Sequence, residues 1–302
     1  MLSANVLSQI LYVSDPGNNA VNAFSITEAT GVLSVVPGSP FSLGDRPGAP
    51  AGLAVSGNLL YVGNTDGPIT GFAIGKLGAL SPLPGLPIPA GVAPSGLLVV
   101  PLPATGAAKF LYAADFADPA GGIWAFTISS SGALVTVPGS PFPTVLSGGP
   151  SGMEWSGNTL YVALKSAGSV AAFSISPTGA LAPISGSPFA AGGGASSLAV
   201  AYGFLLAMNS SDKTISSYII GPGTGILHPV AGSPFAKGAG SGEISFSLSG
   251  ILYMSDAQSE DIAAFTVDST KGLVTAIGGS PFPVSGGPLA LAVVSYPASD
   301  AP

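Results

Sequence analysis

The sequence predicts an all-β, six-bladed β-propeller with four antiparallel strands per blade. Three observations carry that prediction. One set of motifs recurs six times, each copy holds four short β-type runs between turn residues, and no segment of 10–15 residues shows an amphipathic helical period. The repeat is clearest at a Leu-Tyr or Leu-Leu pair ending at Tyr12, Tyr61, Tyr112, Tyr161, Leu206 and Tyr253, with spacings of 49, 51, 49, 45 and 47 residues. A period of that size with four strands per unit is the signature of a propeller.

Each copy has the same internal order. An inner apolar segment comes first: PAGLAV at 50, PSGLLV at 94, PSGMEW at 150, ASSLAV at 195, SGEISF at 241 and PLALAV at 288. The Leu-Tyr segment is the second strand. A third run carries an aromatic residue at Phe24, Phe72, Phe126, Phe173, Tyr218 or Phe265. A glycine turn follows at Gly31, Gly78, Gly132, Gly179, Gly225 and Gly272, and the copy ends in GSPF, degenerate as GLPI at 85–88. In the second copy the predicted strands are Gly52–Ser56, Leu59–Val62, Ile69–Ile74 and Leu80–Leu83. The repeats run over 10–49, 50–93, 94–149, 150–194, 195–240 and 241–287. The chain opens on a second-strand motif and closes on an extra first-strand motif. Residues 288–295 are therefore expected to complete the first blade and close the ring, which removes two exposed sheet edges.

Composition excludes several functions. Seven Lys and Arg against 14 Asp and Glu leave no surface that could neutralise a run of phosphates, so no nucleic-acid partner is expected. No run of 18 apolar residues exists, so no transmembrane segment is expected. The opening MLSANVLSQ lacks a basic region and a long apolar core and does not read as a signal peptide. There is no cysteine and one histidine, which removes thiolate chemistry, Cys-ligated metals and two-histidine sites. Few lysines and an acidic balance point to an extracytoplasmic protein, secreted or periplasmic.

The blocks P-x-G-L-A-V, L-Y-V-x-[DN], A-F-x-I and G-x-L, in this phase over most of residues 10–295, resemble the YVTN/lactonase-like propeller repeat family. That resemblance implies a propeller and a range of functions, from lactone hydrolases and lyases to proteins without known activity. The family usually forms seven blades. Six copies resemble instead the gluconolactonase-like and strictosidine-synthase-like propellers, although neither's linear motifs occur here.

Ligands of propellers usually bind at one mouth of the central channel, where second strands end and first strands begin. The second-strand ends carry Asp15, Asn64, Asp115, Leu164, Asn209 and Asp256. Each polar side chain could cap its own turn. Alternatively Asp15, Asn64, Asn209 and Asp256 could supply a ring of oxygens to Ca²⁺, as the gluconolactonase-like resemblance implies, with Asp115 as a ligand contact. Two carboxylates interrupt the innermost strands: Glu154 stands where other copies have Ala54, Leu98, Ala199 and Ser245, and Glu243 where they have Gly52, Gly96, Gly152 and Ser197. A carboxylate in such a column is costly unless paired or wet. These two are read either as residues of a water-filled channel or as a site: a general acid and base, or further ligands. Arg46, the only arginine, could hold an anion bidentately or pair with Asp45. Trp155, beside Glu154, could touch a ligand or pack in the core. His228 falls in an outermost strand and reads as a surface residue.

The expected function is a non-enzymatic binding or interaction module taking a small molecule, carbohydrate or protein at the channel mouth. The alternative is a lactonase-like hydrolase with a metal ion there.

Overall fold

The computed structural model describes residues 9–26, 33–44, 48–101, 109–116, 122–144, 148–236, 242–246, 251–256, 259 and 261–283. Each repeat forms one antiparallel sheet, and the six sheets are the blades of a propeller. In the second blade, strands Pro50–Ser56, Leu59–Asn64, Pro68–Ile74 and Leu80–Pro82 pair in sequence order. The third to sixth blades repeat this order. The first blade contributes Gln9–Asp15, Ala20–Ile26 and Leu33–Val35. The segment 288–295 and the ring closure it was expected to make lie outside the described residues.

Blades stack face to face, so a middle strand has neighbours on both sides and cannot alternate polar with apolar. Accordingly Thr159–Leu164 and Phe204–Asn209 are buried throughout. Five apolar clusters fill the five described seams. Tyr61, Ile69, Leu111 and Phe126 belong to the seam between the second and third blades, and Phe110, Tyr112, Leu160 and Phe173 to the next.

The repeated tyrosine does more than fill space. Its hydroxyl crosses four of the five described seams and donates to the carbonyl of the glycine turn in the following blade: Tyr12 to Gly78, Tyr61 to Gly132, Tyr112 to Gly179 and Tyr161 to Gly225, all at 2.9–3.0 Å. Burial pushes the Tyr61 and Tyr161 phenols up to about 12, so they remain donors at neutral pH. The acceptor must be glycine for two reasons. Gly179 has φ +85, a left-handed conformation, and a β-carbon there would run into the Phe110 ring of the preceding blade. In the fifth blade Leu206 replaces the tyrosine. Ser217, paired opposite Leu206 on the third strand, supplies the hydroxyl instead and bonds Gly272 at 2.9 Å.

The outer strand departs from the predicted single run. It is two pieces: in the second blade Leu80–Pro82 and Ile88–Pro89 each pair with part of the third strand. The GSP block, with a cis Ser–Pro bond in five blades, lies between the pieces. That interruption leaves one amide in the middle of the third strand without a strand partner. The GSP serine accepts it: Ser39 from Ala23, Ser140 from Ala125, Ser187 from Ala172, Ser233 from Ser217 and Ser280 from Ala264, at 2.8–2.9 Å. In the second blade Leu86 replaces serine, and the residue beneath it is Gly71 rather than alanine. A β-carbon at 71 would collide with the Leu86 side chain, so the two departures compensate one another.

Two stability outcomes follow. Tyr112→Phe is expected to cost about 1–2 kcal/mol by leaving the Gly179 carbonyl unbonded, and Gly179→Ala about 2–4 kcal/mol through strain and overpacking; urea unfolding measures both. Gly71→Ala alone is expected to destabilise, and Gly71→Ala with Leu86→Ser to recover most of the loss. A double-mutant cycle should give a coupling of about 1–3 kcal/mol, and additive effects would contradict the compensation.

Candidate functional site

The innermost strands of the second to fifth blades approach one another backbone to backbone because the third residue of each is Gly or Ser. A β-carbon at Gly52 would stand 2.5 Å from the Ser95 carbonyl of the next blade, and one at Gly152 would stand 2.6 Å from that of Ser196. Hydrogen bonds stitch the ring: Ser151 Oγ donates to Ser196 O at 3.0 Å, and the Ile244 amide donates to Ser197 Oγ at 3.1 Å. Above these contacts, at the side where second strands end, the channel opens into a cavity of about 530 Å³. First-strand residues of five blades line it, with Tyr12, Thr65, Phe116, Lys165 and Glu243 on the wall.

Glu243 directly precedes the strand Ile244–Phe246, and its amide donates to Ser255 Oγ at 2.9 Å. Glu154 lies one step beyond the cavity wall in Pro150–Ser156. It sits deep in the molecule, with part of its surface still accessible. One carboxylate oxygen accepts the Trp155 amide at 2.9 Å. Burial pushes the Glu154 carboxyl up to about 7; the Trp155 bond opposes that shift, and the like charge of Glu243 adds to it. The two glutamates thus sense each other, one on the wall and one below it. Trp155 points to the opposite face of its strand and packs, half-buried, against the core between the third and fourth blades.

The second-strand ends are occupied within their own blades. Asp115, 2 % exposed, accepts the amides of Val92 and Ala93 at 2.8 Å each and so braces the loop that leads into its own blade. Asp15 accepts from Asn18 and Asn22, bonds that hold its carboxyl below the usual range. The Asn64 amide group donates to Val62, Pro68 and Thr70, and that of Asn209 to Thr214 and Ser216. Their Oδ1 atoms are buried without a hydrogen-bond partner, but they belong to different blades. Asp256 accepts the Ser259 hydroxyl at 2.9 Å. Among the described residues no three His, Cys, Asp or Glu side chains come together. Of the donor set proposed for Ca²⁺, the carboxylates of Asp15 and Asp256 accept local bonds, and all four residues come from different blades. Arg46 lies outside the described residues, and His228 is exposed on its outer strand.

Two wall residues escaped the sequence reading, Phe116 and Lys165. Each stands one position past the second-strand column that attracted attention, in a series that runs Pro16, Thr65, Phe116, Lys165, Ser210. A lone cation and a lone aromatic in that series were the available signal.

The state of Glu154 should be visible in stability. Its carboxyl is raised from 4.5 to about 7 in the folded chain, so folding favours the protonated form. The stabilisation is complete below the unfolded value and is lost as pH rises through about 7. Unfolding free energy is expected to fall by up to about 3 kcal/mol between pH 5 and 8. Glu154→Gln should flatten that slope in urea titrations, and an unchanged slope would assign it to other groups.

No known protein family and no curated protein match the chain in sequence. Solved structures do match in shape. A candidate 6-phosphogluconolactonase from Bacteroides uniformis aligns with TM-score 0.73 and 17% identity over 93% of this chain and 84% of that one. A Lactobacillus plantarum protein aligns with TM-score 0.71 and 17% identity over 92% and 82%. The periplasmic gluconolactonase PpgL of Pseudomonas aeruginosa aligns with TM-score 0.61 and 17% identity over 94% and 98%. At these identities the likeness is one of fold: the chain is a six-bladed propeller similar in shape to lactonase-like propellers, and the resemblance to YVTN repeats rests on its motifs alone.

Proposed function

We propose that the channel mouth takes small sugar-type lactones and that the chain hydrolyses them. The observation that carries this reading is that a carboxylate, Glu243, and an ammonium, Lys165, both stand on the wall of one cavity of about 530 Å³. That volume lies within the range of small-molecule sites. The likeness to lactonase-like propellers supports the same reaction class.

The chemistry needs few groups. Glu243 acts as general base, taking a proton from the water that attacks the acyl carbon. Lys165 faces the negative charge that develops on the carbonyl oxygen. The C–O bond of the ring breaks, the ring oxygen leaves as a hydroxyl after regaining the proton, and the product is an open hydroxy acid. Its carboxylate then meets the same ammonium. A binding-only role at this mouth is the second reading, since Leu53, Leu97, Met153 and Leu198 also border the cavity.

The test is a pH-stat assay with D-glucono-1,5-lactone, corrected for spontaneous opening. The wild-type chain should exceed the background, and Glu243→Gln should lower kcat about 10²-fold or more. A rate equal to background, together with gluconate binding abolished by Lys165→Met, would leave a binding module in place of an enzyme.

A further inference from the structure

We infer that Phe116 is the platform on which a ring-shaped ligand lies at the channel mouth, so that the site selects a closed lactone over the open acid. This inference rests on the reading of the mouth as a lactone site.

Phe116 is 43% exposed although it is a large aromatic residue, and it borders the cavity that also holds Lys165 and Glu243. Tyr61, Phe110, Tyr112, Phe126 and Phe173 are sealed in the seams, whereas this ring stands at the mouth. It is also held firmly. The Phe116 amide donates to Ala93 O at 3.1 Å. Ala93 is itself fixed by the buried Asp115 carboxylate, which takes the Val92 and Ala93 amides. Asp115 is thus a positioning residue that acts through the loop behind the ring.

The other side of the ring is kept clear by glycine. Gly149, at φ +57, lies against it, and a β-carbon there would stand 3.1 Å from the ring carbons. The Gly149 carbonyl also accepts the Lys165 amide at 3.3 Å. One glycine therefore touches the ring of the third blade and anchors the backbone of the lysine in the fourth. A ligand resting on Phe116 has an ammonium on the neighbouring blade and a carboxylate on the same cavity wall.

That geometry suits a six-membered ring with an apolar C–H face and an acyl oxygen at its edge. Contact between such a face and an aromatic ring is a dispersion and quadrupole interaction that a flexible open chain makes poorly. The product acid loses the flat face when the ring opens, and the platform then favours its release.

The experiment compares the wild-type chain with Phe116→Ala and Phe116→Trp. For D-glucono-1,5-lactone, Phe116→Ala should raise KM about 3–10-fold with kcat within about twofold, and Phe116→Trp should restore KM. Calorimetry with gluconate should give the same Kd in all three. A KM unchanged in Phe116→Ala overturns the platform while leaving the hydrolase reading intact. If the wild-type chain turns over no lactone, binding of the non-hydrolysable D-glucono-1,5-lactam decides: affinity lost in Phe116→Ala sustains the platform while the hydrolase reading falls, and no binding, or binding that Phe116→Ala leaves unchanged, overturns both.

Discussion

The blades are held together by a hydroxyl donated across each described seam to a glycine carbonyl in the following blade. Everything else depends on it. It fixes how far one blade slides along the next, because the donor sits on a middle strand and the acceptor sits in an outer hairpin. It makes glycine obligatory in that hairpin, both for its left-handed backbone and for the lack of a side chain. A buried carbonyl without that donor would cost more than the bond itself contributes.

The same constraint bears on where the candidate site residues stand. Residues inside the seams are committed locally: Asp115 accepts two amides of the loop into its own blade, and the Asn64 and Asn209 amide groups donate within their own blades. Residues one step further out carry less of that work, although Thr65 Oγ1 accepts the Ala49 amide. Pro16, Thr65, Phe116 and Lys165 differ from one another because no seam dictates them. The two glutamates are a different case. They stand where small or mainly apolar residues belong, at two depths along one channel, and the deeper one is held near neutrality by burial.

Much of the fold was legible because the seams repeat. The six copies, the four strands and the phase could be read from Tyr12 to Tyr253 by spacing alone. The split outer strand was not legible: the GSP block looks like an ordinary turn until the amide that Ser39 accepts is seen to lie mid-strand. The exchange at Leu206 and Ser217 was hidden because the partners are paired across a hairpin rather than adjacent in sequence. The exchange at Gly71 and Leu86 was hidden in the same way. Of the candidate site, Glu154 and Glu243 stood out as charges in an apolar column. Phe116 and Lys165 did not, since a variable surface position has no column to violate.

The seam also defines what a blade is. Each of the second to fifth blades carries a hydroxyl on one of its two middle strands and a glycine carbonyl on its outer hairpin, so it is a connector with one plug and one socket. Any such blade fits behind any other, including the fifth, whose plug is a serine. Nothing in the connector counts blades. A chain built this way can gain or lose a repeat by duplication or deletion without redesigning a joint, leaving the number of blades to be set by how the ring curves shut.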